Sequence, residues 1–436
     1  MPVPPLSETT TALAMVLILL VPLAGAGLAL INTGLGRSRS AAHAMMTALS
    51  MMAVAVLAYF VCGFAWQGVA GGPAHTLALA GKEWNWIGGE RLFLRGLDFS
   101  GSHASLVAWL GMMSVGLAAL IPLGSGADRW RLGAACASTA FFAGLTYPVF
   151  AHWVWGGGWL ASLGASYGMG RGFVDGGGSS TIQAVGGLTA LAIAWILGPR
   201  RGKYTLEGIP TAIPGHNSIL VLFACLLTLM GWMGLNAAGA ILFTGAAPGR
   251  VALIAITTTL AAASAALAAA LITRRRFGKP DASLTANGWV GGLAASSAAC
   301  AFVTPAAAVI IGLIAGALVT LGVDLFESRL RVDDPGGAIS VHGLCGIWGV
   351  VAVGVFAHFP PGSSGVDSHQ WLAQLVGVAT LLGFVLPLSY GLNWLLNRIY
   401  PQRVALEGER QGMDLYELGA GAYPEFITHA DEFTQR

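Results

Sequence analysis

Long apolar runs separated by short polar connections make up almost all of this chain. About 20 consecutive apolar residues are needed to cross a bilayer as an α-helix. Eleven such runs predict transmembrane helices at residues 11–34, 41–66, 103–124, 132–154, 180–198, 217–237, 250–273, 284–303, 306–326, 341–358 and 371–397. The residues after Arg398 are polar enough to form a soluble tail. The pattern therefore predicts an all-α integral membrane protein with a membrane domain, residues 1–398, and a tail, residues 399–436.

The composition agrees with a bilayer as the solvent. Of the 436 residues, 55% are hydrophobic and 10% are charged, and the mean hydropathy is +0.71. Soluble domains carry about 25% charged residues. A net charge of +2 excludes a nucleic-acid-binding protein, which would need a strongly basic surface. The five cysteines have no CxxC or paired spacing, so no disulfide framework, metal site or other cofactor is expected.

Basic residues are concentrated in alternate connections between the predicted helices. The odd-numbered connections carry thirteen of them and the even-numbered connections five. Positive residues stay on the cytoplasmic side, so the N-terminus is expected outside and the tail in the cytoplasm, in the inner cell membrane. Asp333 is expected to pair with Arg331 or Arg329 at the cytoplasmic rim. No Lys or Arg precedes the first apolar run, which favours an uncleaved first helix, although the small residues at 22–29 leave cleavage open.

One sequence element occurs twice. Residues 175–190 are DGGGSSTIQAVGGLTA, and residues 334–349 are DPGGAISVHGLCGIWG. The copies begin the fifth and tenth predicted helices, and an odd difference of five helices means that they cross the membrane in opposite directions. This predicts an inverted repeat of five plus five helices, with halves at about 11–198 and 217–358 and an eleventh helix outside the repeat. In transporters of this design the substrate path lies between the halves.

Each copy carries an aspartate and, eight residues later, a second polar residue. Asp175 and Asp334 stand just before a helix and are predicted to be buried N-terminal caps. Eight residues span about 12 Å of helix, so Gln183 and His342 are predicted to meet near the middle of the membrane. An ionisable residue at that depth is a functional candidate. The alternative for His342 is a core histidine satisfied by one backbone carbonyl.

Several longer motifs resemble the ammonium transporter (Amt/Mep/Rh) family. They are AHWVWGGGWLAS (151–162), GWMGLNAAGA (231–240), the run 286–312 that begins ANGWVGG, RVDDPGGAISVHGLCGIWG (331–349) and QGMDLYELGAGAYPEF (411–426). The resemblance covers nearly the whole chain. It implies an eleven-helix homotrimer with a narrow hydrophobic pore in each subunit, and a tail that cooperates with a PII-type regulatory protein. Small residues near 261–270 and 291–301 suit close packing between subunits.

The motifs place the family's site residues on this sequence. The resemblance implies that Trp155, exposed by the glycine run beside it, attracts ammonium at an outer vestibule through a cation–π contact. An interfacial anchor is the alternative role. It further implies that Asp175 lies near the vestibule and that His342 is the second pore histidine. Four positions differ from the family. Gln183 stands where the family has its first pore histidine, and Gly239 stands where it often has a hydroxyl residue in the vestibule. Leu235 stands where the family has its second gate phenylalanine, and Ser114, with Leu110 one turn earlier, stands where it has the first gate phenylalanine. The vestibule and gate are therefore expected to be wider and less aromatic.

The implied function is transport of ammonium, which would lose its proton and cross the pore as ammonia. Two alternatives remain open: an ammonium sensor or non-conducting receptor of the same fold, and a transporter of another small neutral or cationic solute. The sequence has no nucleotide motif, metal cluster or nucleophile with a neighbouring base, so an enzyme is not expected. The expected partners are ammonium or ammonia, membrane lipid, other copies of the chain and a PII-type protein.

Overall fold

The computed structural model describes residues 6–79, 81–359 and 369–423, and these are mostly helical. Within them, ten helices are long and apolar enough to cross a membrane, and one shorter helix completes the bundle. In chain order they are α1 (Glu8–Leu35), α2 (Ser38–Gln67), α3 (His103–Gly126), α4 (Leu132–Val154), α5 (Ser179–Leu197), α6 (Ser218–Thr244), α7 (Pro248–Phe277), α8 (Ala282–Ser296), α9 (Pro305–Arg329), α10 (Ile339–Phe356) and α11 (Gln370–Ile399). The predicted all-α membrane fold is confirmed, and the predicted ends lie close to the observed ones except in α6 and α8.

The helix α8 is shorter than the span predicted at 284–303. It ends at Ser296 after 15 residues, and residues 297–302 form buried turns. The Ser179 hydroxyl reaches this segment and accepts a hydrogen bond from the Ala298 amide at 2.7 Å. Irregular backbone is tolerated at membrane depth where protein groups satisfy it. Hydropathy could not show this break, because the turn residues are as apolar as the helix before them.

The helices α5 and α10 begin in the same unusual way. Each opens with a π-helical turn, Ser179–Ala184 in α5 and Ile339–Leu344 in α10, and then continues as an α-helix. Gly178, with a φ of 96°, turns the chain into the first of them, a conformation that a residue with a Cβ rarely adopts. Other helices also contain π-helical turns, for example Tyr59–Gly63 in α2 and Phe142–Thr146 in α4. What the two copies of the repeated element share is that the turn opens the helix, so they have the same backbone form as well as the same sequence pattern.

The two copies of the repeated element cross each other at glycines. Gly187 of α5 packs against the backbone of Gly343 in α10, and Gly346 of α10 packs against the backbone of Ala184 in α5. The two segments therefore run antiparallel, as the inverted repeat requires. The division of the chain into repeat halves and the domain boundary at residue 398 remain predictions.

The connection between α2 and α3 holds a β-hairpin that the apolar pattern did not predict. Its strands, β1 (Ala74–Leu79) and β2 (Lys82–Gly88), pair antiparallel. The indole N–H of Trp153 donates to the backbone carbonyl of Trp86 at 2.7 Å. The hairpin is thereby attached to the end of α4 that carries Trp155. We call this end of the bundle the Trp155 end and the opposite end the Asp333 end.

A buried ion network lies at the Asp333 end. Arg200 donates to the carboxylate of Asp333 at 2.9 and 3.0 Å, and Arg129 lies 3.8 Å from it. Burial by itself raises the pKa of Asp333, but hydrogen bonds and charge from the two arginines hold that pKa at about 2. The prediction that Asp333 pairs with Arg331 or Arg329 is wrong. Arg200 is 133 positions away, so sequence proximity gave no sign of it.

The tail folds back onto the Asp333 end. Asp414 accepts hydrogen bonds from the backbone amides of Ala42 at 3.2 Å and His43 at 2.7 Å, at the start of α2. Glu417 contacts the His43 ring and the Leu132 amide, each at 2.8 Å. Carboxylates are stabilising at helix N-termini, so the tail is docked by two such contacts. The last residues of the tail motif, 424–426, lie outside the described residues.

Candidate functional site

Gln183 and His342 meet inside the bundle. His342 Nδ1 lies 2.7 Å from Gln183 Oε1, and the two residues are 2% and 0% exposed. The amide is oriented with its oxygen toward the ring, and in this orientation Nδ1 donates and Nε2 is left as an acceptor. Within the described part of the chain, Nε2 makes no hydrogen bond. The predicted contact between the two copies of the repeat is confirmed.

Asp175 caps the π-helical turn that carries Gln183. One carboxylate oxygen accepts from the amides of Gly178 and Ser179, each at 2.8 Å. The other accepts from the amides and the hydroxyls of Ser180 and Thr181 at 2.5–3.2 Å. The predicted capping role is confirmed. With six donors around it, this carboxylate fixes the π-helical turn Ser179–Ala184 and presents no unoccupied face to a cation.

Asp334 plays the same part for His342. Its carboxylate accepts from the amides of Ala338 at 3.1 Å and Ile339 at 2.8 Å, and the Ser125 hydroxyl donates to it at 2.6 Å. Burial raises the pKa of the Asp334 carboxyl. The two polar residues of the repeat are therefore held by equivalent caps.

Trp155 is buried, which corrects the expectation that its glycine run exposes it. It is 7% exposed, because Phe243 of α6 stacks on its indole with ring centroids 4.1 Å apart and planes 4° from parallel. The indole N–H donates to the backbone carbonyl of Asp175 at 2.7 Å. Stacking and hydrogen bond together fix the plane of the ring, and one of its faces is already covered.

A cavity of about 340 Å³ lies beside Trp155. Much of its wall is aromatic, and the residues concerned are Trp155, Phe173, Phe243, Phe302 and Phe359. Arg171 also lines the cavity, with its guanidinium 4.6 Å from the centroid of the Phe359 ring. We call this cavity the Trp155 vestibule. Phe243 contributes aromatic surface there that the residues at 235 and 239 do not.

Gly239 and Leu235 do not widen the vestibule. A Cβ atom at Gly239 would lie 2.5 Å from the backbone carbonyl oxygen of Gly176, so α6 approaches the Asp175 segment too closely for a side chain. Leu235, one helical turn earlier, is 1% exposed and belongs to the core. At Gly239, where the family has a hydroxyl, the backbone of the Asp175 segment fills the space. At Leu235, where the family has a phenylalanine, the packed leucine side chain fills it.

Leu110 and Ser114 of α3 are both buried, and Ser114 lies close to Tyr147 of α4. In the described residues, the Nε2 atom of Gln183 is buried without a hydrogen-bond partner, and the hydroxyls of Ser114 and Tyr147 are buried with no partner beyond each other. Both α3 and α4 pack against the π-helical turn of Gln183. Buried polar groups are nearly always hydrogen-bonded, so unpaired atoms in one region indicate a place for water or a polar ligand.

A second cavity, of about 400 Å³, lies at the Asp333 end. The charged and polar residues in its wall are Arg200, Lys203, Asp281, Ser283, Asn287, Glu327, Asp333 and Asp334. It opens next to the cap of α10. The Gln183–His342 pair is therefore flanked by one cavity toward each end of the bundle.

Two residues of this site were missed from the sequence, although a spacing rule could have found both. Tyr147 precedes Trp155 by eight residues, and Phe243 follows Leu235 by eight. Eight residues are a little over two helical turns and leave the two side chains roughly 80° apart around the axis, so each lies on the same broad stripe of the helix as its neighbour. A search of the faces that carry the family motifs, rather than of the motifs alone, would have included them.

Cavities at both ends of a helical bundle, with a polar pair at the crossing of an inverted repeat, define a multi-pass membrane transport fold. The chain belongs to the Ammonium Transporter Family, whose model matches residues 12–423. It is 37% identical over 401 residues to ammonium transporter Amt2 of Archaeoglobus fulgidus, covering 88% of this chain and 82% of that protein. It is 31% identical over 394 residues to the ammonium transporter of Bacillus subtilis, covering 87% and 90%. A solved structure titled Sensor Amt Protein superimposes with a TM-score of 0.83 at 28% identity, covering 94% of this chain and 98% of that one.

Proposed function

We propose that this chain is an ammonium transporter that moves the solute between the Trp155 vestibule and the cavity at the Asp333 end. The observation that carries the proposal is the buried hydrogen bond between Gln183 and His342. Polar residues within a membrane domain are costly and mark solute paths. This pair lies where the two copies of the repeat cross, which is where transporters with inverted repeats bind their substrates. The names of the relatives agree with this substrate.

Ammonium collects in the Trp155 vestibule, where the uncovered part of the indole and the neighbouring rings attract a cation. Burying an unpaired cation deeper costs several kcal/mol at least. The solute therefore gives up a proton and continues as ammonia past Leu235, Leu110 and Ser114 to the Gln183–His342 pair. Gly239 and Asp175 act indirectly, by holding in place the vestibule and the π-helical turn Ser179–Ala184, which we call the pore segment.

The Trp155 end faces the outside of the inner cell membrane in this proposal. Three basic residues lie at the opposite end, together with the docked tail; they are Arg129, Arg200 and Arg201. Because positive residues stay in the cytoplasm, the proposal has the N-terminus outside and the tail inside. A PII-type partner would meet the protein at this cytoplasmic end.

A homotrimer with one pore in each subunit remains part of the proposal. The small residues near 261–270 do not support it, because they pack inside the subunit: Gly292 and Gly312 lie against Ala261, and Gly316 lies against Ala265. The support that remains is membership of the family. Native mass spectrometry in a mild detergent tests it, and a monomer or dimer as the main species would contradict it.

Uptake of labelled methylammonium by cells that lack their own ammonium transporters tests the function. Wild-type protein is expected to support uptake that ammonium inhibits. His342→Ala is expected to abolish uptake or change its selectivity, and His75→Gln, on the exposed face of the hairpin, is the matched control. Normal uptake by the His342→Ala variant at every pH would exclude a pore through this pair.

A sensor is the second candidate, and the similarity to the structure titled Sensor Amt Protein favours it. A sensor would bind ammonium without moving it. The uptake assay distinguishes the two functions, because a purified protein that binds ammonium but gives no uptake above that of empty cells would be a receptor.

A further inference from the structure

We propose that His152 is a positioning residue of the transport path, which holds the end of α4 in place only while its imidazole carries two protons. Capture of ammonium by the Trp155 vestibule then weakens as the solution at that end becomes alkaline. The inference rests on the proposed ammonium transport and adds a pH dependence that does not come from the solute. It follows from two hydrogen bonds of His152 and from the glycine run beside it.

Both ring nitrogens of His152 face oxygen atoms that can only accept. Nδ1 lies 2.7 Å from the backbone carbonyl oxygen of Gln67, the last residue of α2, and Nε2 lies 2.7 Å from Oδ1 of Asn85 in β2. The Asn85 amide keeps this orientation because its Nδ2 donates to the backbone carbonyl of Gly157 at 3.1 Å. A neutral imidazole satisfies one acceptor and turns a lone pair toward the other, whereas the imidazolium satisfies both. We call His152, Gln67 and Asn85 the His152 clamp.

The ends of two helices favour a positive charge at this ring. His152 lies in the last turn of α4, and its Nδ1 contacts the last residue of α2. The carbonyl ends of helices carry partial negative charge and stabilise a cation. Because His152 is 1% exposed, burial opposes the charge. The two hydrogen bonds offset this cost, since the N–H groups of a cation form stronger bonds than those of a neutral ring.

No ion pair among the described residues fixes the charge of His152, because no carboxylate there lies within 4.0 Å of its ring. Glu90 comes closest to the clamp in the fold of the loop, where its backbone amide donates to a carbonyl at the end of α2 at 3.3 Å. The other ionisable groups at this end of the elements around His152 are Tyr59, Cys62, Lys82, Glu83, Tyr147 and Asp175. The protonation of the imidazole is therefore free to follow the pH.

The glycine run after Trp155 is shaped around the clamp. A Cβ atom at Gly156 would lie 2.5 Å from Nδ1 of His152 and 2.2 Å from the carbonyl oxygen of Gln67. The amide of Gly158 donates to the carbonyl of His152 at 2.9 Å, and a Cβ atom there would lie 2.7 Å from the same oxygen. The glycines are therefore needed for the chain to close on the imidazole, a role that exposure of the indole does not explain.

The clamp acts on the vestibule through the end of α4. Trp155 follows His152 by three residues, and its amide donates to the carbonyl of Ala151 at 2.7 Å. The backbone carbonyl of Asn85 also accepts from the amide of Trp159 at 3.1 Å. One imidazole thus ties the hairpin and the end of α2 to the turn that carries the indole. Loss of one of its two hydrogen bonds loosens that turn, so the effect falls on capture of the cation rather than on passage deeper in the bundle.

Uptake of labelled methylammonium by cells that express the full chain, measured from about pH 5 to 8 where histidine titrates, tests this inference. Methylammonium itself stays cationic in this range, because an alkylamine titrates near pH ~10.4, as lysine does. For wild type, the apparent KM is expected to rise several-fold toward the alkaline end, with a smaller change in the maximal rate. A KM that is constant over the range would overturn the inference while leaving ammonium transport intact. Absence of uptake at every pH would instead overturn the proposed function.

Two variants of the clamp separate a titrating imidazole from a neutral core histidine. His152→Gln keeps an amide donor but cannot titrate, so its KM is expected to stay near the alkaline wild-type value at every pH. Asn85→Asp places a carboxylate opposite Nε2 and favours the imidazolium, so the rise in KM is expected about one pH unit or more higher. This variant serves if His152→Gln does not fold.

His75→Gln, in the exposed strand of the same hairpin, is the matched control and is expected to keep the wild-type profile of KM against pH. A wild-type profile in His152→Gln would overturn the inference. So would a rise in KM at the wild-type pH in Asn85→Asp, because His152 would then be a neutral histidine of the core.

Discussion

Gly187 and Gly346 hold equivalent positions in the two copies of the repeat, and each packs against the backbone of the other copy. Each follows the polar residue of its own copy, Gln183 or His342, by four positions. A Cβ atom added at either glycine would come within 2.5 Å of backbone atoms in the other copy. The hydrogen bond between the polar residues is therefore bracketed on both sides by close backbone contacts that only glycine permits.

Alanine at either of these glycines is expected to destabilise the protein. Because backbone atoms cannot move aside as a flexible side chain can, Gly187→Ala and Gly346→Ala should each cost about 1–3 kcal/mol or more. Thermal melting, recorded as the fraction of protein that stays monodisperse in detergent on heating, measures this loss of stability. Gly391→Ala in α11 is the control, since nothing lies within 4 Å of its added Cβ and alanine has the higher helix propensity. Equal melting of all three variants would contradict the close crossing.

Asp175→Asn is expected to weaken the fold of the pore segment more than the capture of ammonium. An asparagine keeps one acceptor oxygen, so the amides of Ser180 and Thr181 would face an NH₂ group, and each unsatisfied buried N–H costs about 1–3 kcal/mol. The melting temperature should fall. The ammonium concentration that half-inhibits methylammonium uptake should change little in the protein that remains folded.

Asp98→Asn is the control for this substitution, because Asp98 bonds Ser100 in an exposed loop. It is expected to leave melting almost unchanged. The opposite pattern at position 175, with unchanged melting and weaker inhibition by ammonium, would mean that the carboxylate binds the cation directly.

The helices and the repeat could be predicted from the sequence because both depend on local patterns. Apolar runs of the right length have few alternatives in a membrane, and the copies that contain Gln183 and His342 differ little in length and glycine content. Their hydrogen bond followed from the inverted order of the helices. The caps at Asp175 and Asp334 followed from their place just before a helix.

What could not be predicted depends on contacts between distant segments. Asp333 sits two residues from Arg331 yet pairs with Arg200, because the folded bundle brings the ends of α5 and α10 together. The sequence predicts an exposed Trp155, because its own motif contains no sign that the ring of Phe243, which belongs to another helix, stacks on the indole. The hairpin was missed for a related reason: its strands are short, and their support comes from α4.

Trp155 and Phe243 are expected to contribute unequally to the selection of ammonium. Trp155→Leu removes the indole and should weaken selection over sodium and potassium by the equivalent of about 1–2 kcal/mol. Phe243→Leu keeps an apolar side chain and removes only the stacking that fixes the indole plane, so its effect should be smaller and in the same direction. Competition by sodium and potassium against methylammonium uptake measures both.

Phe223→Leu is the matched control, because this phenylalanine lies on the same helix but is 56% exposed on the outside of the subunit. It is expected to leave competition unchanged. If Trp155→Leu also left it unchanged, Trp155 would be an interfacial anchor, the alternative role.

Asp333→Asn is expected to be strongly destabilising, with a cost that depends on pH. Removing one partner of a buried ion pair leaves the other charges uncompensated and costs about 3–5 kcal/mol. Asp324→Asn is the comparison, because the pair of Asp324 with Arg276 is exposed and such pairs contribute about 0–1 kcal/mol. The melting temperatures of the two variants, each compared with that of wild type at neutral pH, measure the difference between the two costs.

The pH dependence follows from the pKa of Asp333. Burial opposes its charge, but Arg200 and Arg129 lower the pKa from the usual 3.8 to about 2 in the folded protein. A depressed pKa stabilises the fold above the unfolded value, and this contribution, roughly 2 kcal/mol, is lost as the pH falls from about 4 toward 2. The melting difference between wild type and Asp333→Asn should therefore be constant from pH 7 to about pH 5 and narrow below pH 4. A difference that stays constant down to pH 3 would mean that the carboxylate of Asp333 is not held charged by the two arginines.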